Sequence, residues 1–68
     1  MPGALMPAEP ADADRSVLYI EDNAVNVVLM EAMLARLPRI RMRAAATPLE
    51  GLQLARSEMP ALILCDIQ

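Results

Sequence analysis

The sequence predicts an α/β fold: a small parallel sheet with crossover helices, in the order strand, helix, strand, helix, strand. Two observations carry that reading. Residues 17–20 and 61–65 are short, continuous apolar runs, as expected of strands buried on both faces. Between them, two segments with helical spacing and capping residues flank a third strand pattern, the signature of a parallel sheet with right-handed crossovers.

The elements follow in order. Residues 1–15 read as a flexible leader or linker, because MPGALMPAEPADAD holds three of the six prolines and no periodic apolar pattern. Residues 16–68 are the part expected to fold. After the first apolar run come Glu21 and Asp22, then Asn23, which suits a helix N-cap. Val27, Met30, Leu34 and Leu37 recur at helical spacing, and Pro38 closes the segment, so a helix is expected over 23–37. Residues 39–45 alternate arginine with apolar residues, the pattern of a strand with one wet face. Thr47, Pro48 and Glu50 form a capping sequence for a second helix over 48–58, with Leu49, Leu52 and Ala55 as its expected buried face. Pro60 ends it, and the last strand follows over 61–65.

Composition narrows the function classes. The chain has 68 residues, 56% of them hydrophobic and 22% charged, which suits one small globular domain. A net charge of −3 argues against a nucleic-acid footprint. No apolar run approaches membrane-spanning length, and the N-terminus lacks a signal-peptide pattern. Cys65 is the single cysteine, so an intramolecular disulfide is excluded, which suits a cytoplasmic protein. Its apolar neighbours suggest a small buried hydrophobe. Met30, Met33 and Met42 read as core filler, and Arg36, Arg39, Arg41 and Arg43 as a charged edge that discourages sheet-to-sheet association.

Both apolar runs end on carboxylates: Glu21 and Asp22 after the first, Asp66 after the last. Parallel strands put their carboxyl ends along one edge of an open sheet, where ligands bind. If the first strand lies between the other two (strand order 2-1-3), these acids become neighbours. Three converging acids repel unless a cation sits between them, and an oxygen-rich site suits Mg²⁺. Physical reasoning alone does not choose among Glu21, Asp22 and Asp66 as a nucleophile.

At these residues the chain resembles the receiver domain of response regulators, particularly those attached to hybrid sensor histidine kinases. The matching text is VLYIEDN with its following helix, then TPLEGLQLA, then ALILCDIQ. The resemblance implies a flavodoxin-like doubly wound parallel sheet and a phosphoacceptor role in a two-component phosphorelay, not enzymatic turnover. It implies that Glu21 and Asp22 hold Mg²⁺ together with Asp66 and the backbone carbonyl of Gln68. Asp66 would accept the phosphoryl group from a histidine kinase or phosphotransfer domain. The resemblance covers residues 16–68 but only about the first half of a receiver. The family continues through two more strands and three helices, which carry a Ser or Thr, a Lys and an aromatic switch residue. The chain is therefore expected to be an incomplete fragment, truncated after its third strand, and to self-associate through an exposed sheet edge.

The alternative is a degenerate receiver that acts only as a docking or dimerisation module. An unrelated aspartyl-nucleophile hydrolase is disfavoured, because such enzymes need an acid where Gln68 stands. Dinucleotide binding is disfavoured by the lack of Gly-x-Gly-x-x-Gly.

Overall fold

The structure is a computed structural model that describes residues 14–66. Most of the expected leader, and Gln68, lie outside the described residues. The elements are β1 (Arg15–Glu21), α1 (Ala24–Leu34), β2 (Ile40–Ala45), α2 (Pro48–Glu58) and β3 (Leu62–Asp66). The three strands form one parallel sheet in the order β2-β1-β3, as the spacing predicts.

β1 lies between the other two strands and, of the two apolar runs, is the one buried on both faces. Val17, Leu18, Tyr19, Ile20 and Glu21 are all buried. Side chains alternate across a strand, so Leu18 and Ile20 face one way and Tyr19 and Glu21 the other. Leu18, Ile20 and Ala45 form the core beneath α2, with Leu54 and Ala55 packed against it. The amide of Asn26, in α1, reaches Glu21 on the opposite face. One helix therefore covers each side of the central strand.

α1 begins as predicted: the Asn23 side chain accepts from the Val25 N–H at 2.9 Å. It ends at Leu34, not Leu37. The proline at 38 disfavours helical backbone at Leu37. The chain instead turns through Leu37 N–H to Leu34 C=O (2.9 Å) and Ile40 N–H to Leu37 C=O (3.1 Å). Val27, Met30 and Leu34 are half-buried as the spacing requires, but Leu37 leaves the stripe and is exposed. Met33, expected in the core, is also exposed.

β2 alternates as expected, with Ile40 and Met42 half-buried and Arg41 and Arg43 exposed. Arg39 and Arg41 pair with Asp14 at 3.7 and 3.8 Å, and Arg43 pairs with Glu58. Such exposed pairs contribute little stability. Their value lies in keeping the β2 edge charged.

α2 matches its predicted span, but its buried face differs. Ala55 packs toward the sheet as expected, but Leu49 and Leu52 are exposed, and Gly51 and Leu54 take their place beside it. Gly51 decides the rotation. A Cβ there would stand 2.5 Å from Ile20 Cδ1 and 2.8 Å from Cγ1, so the helix approaches β1 through a residue with no side chain. At its start, Thr47 Oγ1 accepts from the Glu50 N–H at 3.1 Å. Glu50 Oε1 reaches back to the Ala46 N–H at 3.0 Å, one residue before the capping position itself. At its end Met59 takes the left-handed conformation (φ 47°), and its N–H bonds to Ala55 C=O at 3.0 Å.

β3 runs to Asp66, and the two helices pack against β1 and β2 rather than against it. Leu62, Ile63 and Cys65 are therefore exposed, which corrects the expectation of a buried thiol.

Gly51→Ala is expected to lower stability. Overpacking against Ile20 costs about 1–3 kcal/mol, offset by roughly 1 kcal/mol of helix propensity. Denaturant midpoints check this, and Ile20→Val in the same chain should recover part of the loss, because it removes the Cδ1 that the new methyl meets. Thr47→Ala should cost about 1 kcal/mol through the lost cap, read in the same titration.

Candidate functional site

The carboxyl ends of β1 and β3 finish side by side. Glu21 is the register partner of Asp66, just as Tyr19 partners Leu64. Neighbouring parallel strands lie about 4.8 Å apart, so the two acidic residues sit on adjacent backbones at one edge. Asp22 follows in the bend between β1 and α1.

The three acids have different surroundings. Asp22 and Asp66 are exposed, whereas Glu21 is only 3% exposed. A buried carboxylate requires hydrogen-bond donors, and Glu21 has three. Tyr19 Oη donates to Oε1 at 3.0 Å, the Asn26 side-chain amide donates to Oε1 at 3.2 Å, and the Asn23 N–H donates to Oε2 at 3.1 Å. Local sequence explains each donor. Tyr19 lies two residues before Glu21 on the same strand face, while Asn23 and Asn26 lie on the cap and first turn of α1.

These surroundings set the protonation states. Burial works to raise the Glu21 pKa, but the hydrogen bonds from Tyr19, the Asn23 N–H and Asn26 prevail and hold it below the ordinary value. The Tyr19 pKa is raised, by burial first, then by its hydrogen bond to Glu21 and the negative charges of Glu21 and Asp66.

Of the residues singled out in the sequence, the structure makes neighbours of Glu21 and Asp66 and leaves Asp22 exposed on the adjoining bend. It does not gather all three into a cluster. Among the described residues, no group of three or more His, Cys, Asp or Glu side chains is arranged to hold a metal ion. Glu21 is engaged by Tyr19 and Asn26 instead. The exposed donors are nonetheless carboxylate oxygens, and the chain has no histidine, so the available chemistry fits a hard cation such as Mg²⁺. Sequence reading missed Tyr19 and Asn26 as parts of the site. The signals were present: the single aromatic residue lies at i−2 from Glu21, and a lone polar amide interrupts an apolar helix at i+5.

Comparison of the chain with protein-family models, curated proteins and solved structures gives no match. Among the described residues, no helix is long and apolar enough to cross a membrane.

The Tyr19–Glu21 hydrogen bond confines stability to a pH window. A carboxyl whose folded pKa is lowered contributes stability that is fully present above its unfolded pKa and lost as pH falls through the folded one. A phenol whose folded pKa is raised contributes stability that is present below its unfolded pKa and lost as pH rises through the folded one. Thermal melts should therefore weaken on both sides of neutrality, and Glu21→Gln should flatten the acid limb. Tyr19 is the only tyrosine and there is no tryptophan. Tyrosinate absorbance thus reads it alone, and its midpoint should lie above that of free tyrosine and fall in Glu21→Gln.

Proposed function

We propose that the chain is a receiver-type phosphoacceptor module of a two-component phosphorelay, with residues 16–68 forming the first half of a flavodoxin-like doubly wound domain. The observation that carries this reading is the pairing of Glu21 with Asp66 at the carboxyl edge of a parallel sheet of order β2-β1-β3. Asp66 is exposed there and open to attack on an incoming phosphorus.

In the proposed reaction an Asp66 carboxylate oxygen forms a bond to phosphorus as the P–N bond of a phosphohistidine breaks. The imidazole keeps the electron pair and takes up a proton, and an aspartyl phosphate remains. Asp22, Asp66 and the Gln68 carbonyl are the groups that would hold Mg²⁺ directly, while Glu21, buried and bonded to Tyr19, Asn23 and Asn26, would support them from behind. When bound, the ion supplies positive charge that offsets the acids and the phosphoryl oxygens. The protein's own contribution is positioning, which dominates phosphoryl transfer. The partner on this reading is a histidine kinase or phosphotransfer domain, in the cytoplasm.

The docking or dimerisation alternative has one observation in its favour. β3 is an edge strand among the described residues, with Leu62 and Ile63 exposed and no charge before Asp66.

The test uses a polypeptide that continues this chain through the remaining receiver strands and helices, incubated with Mg²⁺ and acetyl phosphate. The expected result is a mass gain of one phosphoryl group that is absent in Asp66→Asn. A folded protein that gains no mass with Mg²⁺ present would overturn the phosphoacceptor reading in favour of docking. The 68-residue chain alone should react weakly or not at all.

A further inference from the structure

We propose that Tyr19 and Asn26 are positioning residues: they hold the Glu21 carboxylate inward, so that Glu21 braces the β1–α1 bend that presents Asp22. The cation-binding part of this inference rests on the phosphoacceptor reading above; the bracing part does not.

The geometry is specific. Glu21 Oε1 accepts from both Tyr19 Oη and the Asn26 amide, while Oε2 accepts from the Asn23 backbone N–H. A carboxylate offers about four acceptor positions, so three donors leave little capacity for anything else. With 3% exposure, Glu21 also presents almost no surface. Asn23 in turn caps α1 through the Val25 N–H. A continuous chain of bonds thus runs from the β1 interior through Glu21 to the first turn of α1, with Asp22 at its bend. Asp22 is the exposed member of the acidic pair. The two adjacent acids divide their work, one inside as a brace and one outside as a donor to solvent or a cation. Supporting groups of this kind typically change metal affinity 10–100-fold when removed.

The experiment compares Tyr19→Phe, Asn26→Ala, Glu21→Gln and Asp22→Asn on the 68-residue chain. Amide hydrogen exchange is read at Asn23 relative to Leu18 and Ile20, and Mg²⁺ alone is titrated against amide shifts. Tyr19→Phe and Glu21→Gln should each speed Asn23 exchange about tenfold over the β1 amides, with the double variant no faster than Glu21→Gln. Asn26→Ala should act in the same direction. In the titration, Tyr19→Phe and Glu21→Gln should weaken Mg²⁺ binding about tenfold, while Asp22→Asn removes saturable binding. Exchange at Asn23 that is unchanged in Tyr19→Phe, or raised equally at every amide, overturns the proposal. Complete loss of Mg²⁺ binding in Glu21→Gln with Asn23 exchange unchanged also overturns it, making Glu21 a direct donor. If the parent chain takes up no Mg²⁺, the cation reading fails while Asn23 exchange still decides the brace.

Discussion

Burial of β1 on both faces sets the terms for its neighbours, because the strand ends on a carboxylate that is buried with it. Leu18 and Ile20 need only apolar cover, and α2 supplies it through Leu54 and Ala55. Each such side chain contributes roughly 1.5–3 kcal/mol when removed from water. Glu21 needs donors instead, since an unpaired buried charge is far more costly than any single apolar contact is favourable. Tyr19, Asn23 and Asn26 meet that need, and in doing so fix where α1 begins. The apolar side of β1 thus sets the distance of one helix, and its polar side sets the entry of the other.

Cover beyond β1 is uneven. β2 closes one edge with arginines and ion pairs. β3 forms the other edge among the described residues, with exposed apolar side chains and no comparable charge. The outward side of α1 is similar: Val25, Val28, Leu29 and Met33 are all exposed. A helix apolar all round is normally buried on more than one side. Much of the exposed apolar surface therefore lies on α1 and β3, while the packed core is small and centred on Leu18, Ile20 and Ala45.

Where the structure departs from the local sequence pattern, the causes are physical. Counting apolar residues favoured Leu49 and Leu52 as the buried face of α2, yet the helix turns Gly51 to the sheet. Hydrophobicity gives no weight to a missing side chain, but close approach of a helix axis to Ile20 requires one. The apolar neighbours of Cys65 suggest burial and Met33 reads as core filler, yet both are exposed because no described element covers them. The acids were legible as a group, but their division was not. Whether a carboxylate at a strand end faces water or turns inward depends on the donors around it, here Tyr19 on its own strand and Asn23 and Asn26 at the start of α1.

The sequence by itself determined the order of elements, the capping residues Asn23 and Thr47, the end of α2 before Pro60, and the acids closing β1 and β3. These follow from short-range rules: apolar period, proline placement and side-chain capping act within a few residues. Tertiary structure decided the rest. It set the Glu21–Asp66 register, chose Gly51 as the contact of α2, and turned Glu21 inward while leaving Asp22 in water. Each of those outcomes depends on how whole elements come together: which strand lies beside β1, how closely α2 approaches Ile20, and where α1 sets Asn23 and Asn26 against Glu21.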